Sequence, residues 1–436
     1  MKKSLKCLSI LLAGALLGSV AAQAQDKALL DTLVQKGLLT QQEAAQIAKE
    51  SVVVKPAQRT TKSITFQGRI QTQYQFIQVD EKATTNNAVA AGGTQRATND
   101  FIMRRLYLGA TADLGNGWSG VLVADFAASG TGAGQRNYID QAYIRKKTDW
   151  DFLQGNLDVG YKKVTFGQEE NTSSASLLPI ERSFATRYFA EGFNNRRLGF
   201  NSRHVGIFWT GTVPQVDGLG YGLALTTNQN QTFQIQNAAS NTMSFWGNVN
   251  YRGSIEDFKY TVGTSYGYKP KGSYFAGPTA VRSAWGLNPY IQLDYLAATL
   301  RAEYLLADVE NGQTLNAGSQ GATPQGMNVT VGYTFDIGEM GKLQPVFRYS
   351  YLQTNGRGIS IGDGIRNASG GGGLIYDNAS SYYVGANWMI MGNAVKLGAG
   401  VEYAEFKGFT AAQAPGANQD SKSDVLAVRM QLQLLF

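Results

Sequence analysis

Between residues 160 and 205 the chain gathers side chains that handle charge. Lys162, Lys163, Arg182, Arg187, Arg196, Arg197 and Arg203 stand among Glu169, Glu170, Glu181 and Glu191, and Arg69 and Arg105 add cations upstream. Two chemistries follow from these types. Cations facing a narrow aqueous passage with low-dielectric walls raise the local anion concentration, because field lines focus there. Arginine would suit oxyanions through its fixed fork of donors, lysine as a mobile point charge. Alternatively the cations pair with the glutamates and pin a loop to its support. Over 181–204 five Arg minus two Glu leave +3, and adding Glu169 and Glu170 brings the region near balance. No lysine occurs over 168–197, which weakens the case for a dedicated phosphate site.

Other chemistries find little support. His204 is the only histidine and Cys7 the only cysteine, so a metal cluster, a triad or a disulfide framework has no material. Gly115-Asn116-Gly117-Trp118-Ser119-Gly120 fits a dinucleotide fingerprint in letters, but an alternating strand follows where that motif needs a helix. It reads as a hairpin turn around Asn-Gly. Gly370 to Gly373 lacks the Lys-Ser/Thr of a phosphate loop. Glu169-Glu170 are sequence neighbours in a loop, a poor arrangement for acid–base work, and Asp308, Glu310 and Asp363 lack calcium-loop spacing. No cofactor is expected, nor any nucleic acid partner, for no basic tract carries interleaved aromatics.

The elements that must position these cations are strands. Ile64, Phe66, Gly68, Ile70, Thr72, Tyr74 and Phe76 alternate with Thr65, Gln67, Arg69, Gln71, Gln73 and Gln75. The tail does the same: Leu426, Val428, Met430, Leu432, Leu434 and Phe436 share one parity, Arg429, Gln431 and Gln433 the other. Period two with one uniformly apolar face means a strand between an apolar phase and water. The first run exceeds the ~5–6 residues of a globular strand and matches the ~9–11 of a membrane strand. About 16 such strands fit between 64 and 436, joined alternately by tight turns and long loops, with an aqueous lumen. Composition agrees: Gly 51, Tyr 22 and Phe 20 are abundant, Pro 9 is scarce, and only 16% of residues are charged. Strand parity turns Arg105 and Lys162 inward, sends Lys163 outward or to the rim, and makes Gln67, Gln71, Gln73 and Gln75 wetted lumen residues.

Ahead of the barrel, Lys2, Lys3 and Lys6, the apolar run 7–20 and Ala22-Gln23-Ala24 form a secretory signal over 1–24. Its apolar run is shorter than the ~20 residues that span a bilayer. Removing three lysines changes the balance from +7 to 36 − 32, or +4. Residues 25–62 hold a short helical hairpin, with a Leu29, Leu30, Leu33, Val34 stripe and a Thr40–Glu43 capping box, followed by a linker. The hairpin packs on itself or serves as a self-association or cell-wall contact. The barrel occupies 63–436.

The segments G-Y-K-K-V-T-F-G-Q-E-E-N-T-S-S from 160, I-E-R-S-F at 180–184 and N-R-R-L-G-F at 195–200 resemble the phosphate-selective porin family of the O and P type. Phe101 to Gly109, with its Arg104-Arg105 pair, and Asp140 to Ile144 extend the resemblance over about residues 60–205. The resemblance implies an all-β transmembrane antiparallel barrel in the outer membrane of a Gram-negative-type bacterium. It also implies a homotrimer and a loop folded inward to narrow the lumen.

The expected function is passive diffusion of small hydrophilic solutes with a preference for anions, phosphate-like oxyanions among them. Arg69, Arg105, Lys162, Arg182, Arg187, Arg196 and Arg197 are the candidate anion guides, and Glu169, Glu170 and Glu181 the constriction-loop acids. A structural or adhesive barrel with a plugged lumen is the first rival and predicts bulky apolar inward residues. An outer-membrane enzyme is the second and requires a convergent site that the chain does not display.

Overall fold

A computed structural model of the chain describes residues 34–36, 40–41, 61–82, 94–127, 138–191, 196–201, 203–227, 242–270, 283–313, 320–369, 375–409 and 422–436. Met1–Thr60 and Thr61–Phe436 are separate compact units. The expected signal lies outside the described residues. Of the helical segment only fragments are described, with Val34 and Gln35 helical.

The second unit is one antiparallel sheet closed on itself. Its strands are β1 (Ser63–Lys82), β2 (Thr94–Gly115), β3 (Trp118–Asp125), β4 (Ile139–Trp150), β5 (Leu153–Lys163) and β6 (Arg203–Thr212). There follow β7 (Leu219–Thr227), β8 (Met243–Ile255), β9 (Phe258–Lys269), β10 (Ala284–Tyr295), β11 (Ala298–Val309) and β12 (Gln325–Tyr333). The last are β13 (Phe335–Asp336), β14 (Lys342–Gln353), β15 (Tyr376–Asn393), β16 (Val395–Phe409) and β17 (Lys422–Leu435). Each pairs with its sequence neighbours, and β1 pairs with β17 to close the ring. The two-residue β13 continues β12, since both lie against β14, so seventeen segments make sixteen crossings. This is the barrel that the alternation predicts.

Closure removes every free edge, and the pleat sorts the side chains. Outward Ile70, Tyr74 and Phe76 of β1 face Leu434, Met430 and Val428 of β17. Leu432 is 52% exposed and Met430 46%, as residues that meet lipid must be. Between β2 and β3, Asn116 (φ 52°) and Gly117 (φ 77°) take left-handed backbone, the pattern of a two-residue hairpin turn. The ring closes on the last residue. Gly68 N–H donates to the Phe436 carbonyl at 2.7 Å, and Phe436 N–H donates back to Gly68 at 3.2 Å. The Phe436 ring occupies the space over Gly68, where an added Cβ would fall 2.3 Å from a ring carbon.

Two connections fold inward. The first, described over 164–191 and 196–201, carries α1 (Gln168–Asn171) and α2 (Phe184–Ala190); the second, described over 354–369, carries α3 (Ile361–Gly364). Ser183 starts α2 by accepting from Thr186 N–H, an N-cap that satisfies one otherwise free donor. Phe184, Tyr188 and Phe189 then pack with Ile359, Ile361 and Ile365 and with inward-facing Ile77, Val79, Phe406 and Ala427 of the wall. A water-excluding core therefore sits inside the barrel. Leu198 to Asn201 belong to this loop rather than to β6. Their amides donate back to Tyr188 (2.8 Å), Phe189 (2.9 Å) and Ala190 (2.9 Å), and Leu198 and Phe200 are fully buried. Among the described residues no helix is long and apolar enough to cross a membrane.

Candidate permeation site and its loop anchors

The inner wall divides into an arc covered by the first loop and an arc left open. Over the covered arc the wall holds the loop by its backbone. Lys396 of β16 donates to the carbonyls of Ala175 (2.8 Å) and Leu177 (3.3 Å), and Asn387 of β15 donates to Leu178 (2.8 Å). Arg348 of β14 donates to the Glu181 carbonyl (2.7 Å) and reaches the carboxylates of Glu402 (2.8 Å) and Glu169 (3.3 Å). On β11, Glu303 accepts from Thr186 (2.6 Å), Asn328 (2.8 Å) and the Gln168 amide (2.7 Å).

This cover overturns one expectation. Gln71, Gln73 and Gln75 point inward as parity requires, yet they are 0%, 0% and 3% exposed rather than wetted. The loop lies over part of this row: Gln71 donates to the Ser174 carbonyl at 3.3 Å and to Gln433 at 2.7 Å, and Asn367 of the second loop donates to Gln75 at 3.0 Å.

The four loop acids are all partnered. Glu169 accepts from the Ser183 amide (3.0 Å) and hydroxyl (2.9 Å). Glu170 pairs with Lys163 and, at 2.9 Å, with Arg182. Glu181 pairs with Arg104 and, at 3.1 Å, with Arg366. Glu191 takes Arg187 (3.1 Å), Arg197 (2.7 Å) and Arg366. Burial alone would push these carboxyls up. Arg104 and Arg366 outweigh it at Glu181, which stays well below the usual carboxylate range. At Glu170, Arg182 and Lys163 win over burial in the same direction, and at Glu191 the cations Arg187, Arg366 and Arg197 do so.

The candidate cations therefore fall into groups. Arg182 is buried and also donates to the carbonyls of Glu169, Glu170 and Thr172, at 3.2, 3.1 and 2.9 Å. Arg187 is buried and donates to the Gly364 carbonyl at 2.5 Å. Arg196 donates to the Arg357 carbonyl at 3.2 Å. Arg182 ties the first loop to itself, whereas Arg187 and Arg196 hold loop to loop. Arg69 and Arg105 differ: each faces inward, and neither has a carboxylate within ion-pair distance among the described residues. Arg69 donates to Ser174 (2.6 Å) and Ser173 (3.1 Å) and lies 5.0 Å from the Tyr107 ring centre. Among the described residues Arg105 donates only to Gln71, at 3.3 Å.

On the open arc Lys162 faces inward beside Asp158, which Arg145 also grips through 2.7 and 2.9 Å bonds. The Tyr143 ring flanks both cations, 5.2 Å from Arg145 and 5.1 Å from Lys162. Arg203 pairs with Asp140, which also accepts from Tyr107 at 3.0 Å. Lys163, which strict alternation sends outward or to the rim, reaches Glu170 in the inward loop, because the chain leaves the wall directly after it. His204 is fully buried against Trp246, ring centres 5.2 Å apart, with Nδ1 3.0 Å from the Thr227 carbonyl.

The sequence model for the phosphate-selective porin O and P family matches residues 77–436. The chain belongs to that family. It is an outer-membrane porin of Gram-negative bacteria. No curated protein sequence matches it. Among solved structures, the fold is similar to that of an anion-selective porin from Comamonas acidovorans (13% identity, TM-score 0.53, covering 85% of this chain and 99% of that one). It is also similar to the outer membrane channel DcaP of Acinetobacter baumannii (11% identity, TM-score 0.50, 86% and 99% covered). At such identities these likenesses speak to the fold.

Sequence reasoning missed several inward cations of the porin, among them Arg104, Arg145, Arg348, Arg366 and Lys396. Arg104 is a bulge residue. The β1–β2 register steps from Gln71↔Arg105 to Thr72↔Met103, so two successive arginines face the lumen. The signal was present: Phe101 and Met103 are outward on one parity, Leu106 and Leu108 on the other, so the alternation breaks between them. Arg348 lies between outward Phe347 and Tyr349 on a strand whose parity was readable. Arg366 lies in a connection that reads from sequence as a glycine-rich outer loop.

Proposed function

We propose that this porin is a passive, cofactor-free channel that favours small anions over cations, with phosphate-like oxyanions among its solutes. One observation carries the reading. The loop arginines neutralise the loop glutamates or tie loop carbonyls, whereas Arg69 and Arg105 stand on the inner wall without a carboxylate partner among the described residues. Lys396, also held only by carbonyls, adds a third cation of this kind. Positive charge thus exceeds negative where the loop meets the wall, and the low-dielectric surround strengthens its field. Arg145, Lys162 and Tyr143 line the approach on the open arc. The N-terminal 24 residues act as a secretory signal and the helical segment faces the periplasm. The assembled form is a trimer, and no catalytic step is involved.

The test is the single-channel reversal potential in a KCl gradient, repeated with phosphate added. A chloride-favouring potential, reduced current in phosphate, and a weaker preference in Arg69→Gln/Arg105→Gln are expected. Cation preference without a phosphate effect would remove the substrate assignment and leave the porin. Absence of conductance would favour the plugged barrel, the reading that the apolar core around Phe184 and Tyr188 supports.

A further inference from the structure

The second inward connection touches the first at every level. Its Ile359, Ile361 and Ile365 share the core of Phe184, Tyr188 and Phe189. Arg196 and Arg357 exchange bonds across the pair, each donating to the other's carbonyl at 3.2 and 3.0 Å. Arg187 donates to Gly364 at 2.5 Å. Arg366 itself is fixed from behind. Arg429 of β17 donates to its carbonyl at 2.9 Å, and neighbouring Asn367 is tied to Gln75 at 3.0 Å. From that fixed base the Arg366 guanidinium spans two carboxylates at opposite ends of α2, Glu181 before it and Glu191 after it.

We infer that Arg366 is a selectivity-determining residue of the channel and the latch by which the second loop holds the first open. Two comparisons within the network support this. The side chain of Arg366 is 25% exposed, against 12% for Arg104, 15% for Arg197 and 3% for Arg187, so its charge reaches the aqueous passage most directly. Glu181 keeps Arg104, and Glu191 keeps Arg187 and Arg197, when Arg366 is removed. Neutralising it therefore removes one positive charge from the edge of the passage without orphaning a buried acid. A lysine there keeps the charge but cannot fork to two partners as the planar guanidinium does.

This rests on the anion-preferring reading, and the experiment separates the two. Full-length wild type, Arg366→Gln and Arg366→Lys are reconstituted in planar bilayers, and reversal potential and open-channel noise are recorded. Arg366→Gln is expected to lower the chloride-to-potassium permeability ratio about two- to fourfold, because one charge ~8 Å from the ion path, screened over a Debye length of ~8 Å at effective dielectrics of ~40–80, shifts anion and cation in opposite directions, and to make the open level flicker. Arg366→Lys is expected to keep the ratio and flicker. A wild-type ratio and a quiet open level in Arg366→Gln overturn the inference. Should that variant fail to insert, a quiet Arg366→Lys overturns it instead. If wild type itself favours cations, the parent reading fails, while a further cation-ward shift in Arg366→Gln still upholds the role of Arg366.

Discussion

The covered and open arcs of the inner wall use the same chemistry to different ends. Arg348 and Arg145 are both strand arginines facing inward, both paired with carboxylates. Arg348 is 0% exposed and bonds Glu402, Glu169 and a loop carbonyl, whereas the Arg145 side chain is 30% exposed beside Asp158 and Tyr143. The first belongs to an interior like that of a soluble protein, where breaking a buried pair on one side is costly. The second borders water, where the pair is screened and the charge remains available to a passing ion. A carboxylate-paired inward arginine is thus an anchor where a loop folds over it and an ion guide where it borders water.

The comparison breaks most sharply at Arg348. Arg348→Met leaves Glu402 with its more distant partner Arg429 and strips the Glu181 carbonyl of its donor. A loss of about 3–5 kcal/mol follows from breaking a buried pair on one side. The expected result is a large fall in the temperature at which the folded band converts to the unfolded band on a gel; an unchanged midpoint would place Arg348 outside the anchor.

Acid should act next, and on the covered arc. Glu170, Glu181 and Glu191 have folded pKa values held below the ordinary carboxyl value of 4.5, so their stabilisation is complete above that value. It is lost only as pH falls through the depressed folded values. Channel traces should be indistinguishable between pH 7 and about 5, with loop noise appearing only under stronger acid. Noise that rises between 7 and 5 would mean these pairs do not hold the loop.

The smallest effect on stability is expected on the open arc. Arg145→Gln leaves Lys162 on Asp158 and should cost no more than about 1 kcal/mol, as partly solvated pairs do. Its reversal potential should nonetheless move toward cations. A stable variant with an unmoved potential would take Arg145 out of the ion path.

The wall was legible in the sequence because a strand reports its two faces residue by residue. β1 and β17 announce their lipid sides through Tyr74, Phe76, Met430 and Leu432, and the Asn116-Gly117 turn announces itself by residue type. What the alternation could not show is what lies against the inner face. Gln71 has the same letter whether it meets water or a loop, and it lies against Ser174, 103 positions away. The bulge at Arg104 was encoded as a break in parity that a strict alternation overrides. The second loop carried no warning, since its inward direction is fixed by contacts such as Arg366 with Glu181 and Asn367 with Gln75, which link segments far apart in the chain.

The clasp between Gly68 and Phe436 has a consequence for the order of events. Both hydrogen bonds at that end of the seam involve the final residue, and its ring fills the notch that Gly68 leaves. Everything upstream can be paired strand by strand, but the ring cannot be fastened there until Phe436 has been made. A product clipped by one residue would present a notch with nothing to fill it, at the two strands whose unpaired edges invite association with other chains. The Phe436 aromatic thus acts as a fastener for the seam, holding β17 to β1 by backbone and ring together.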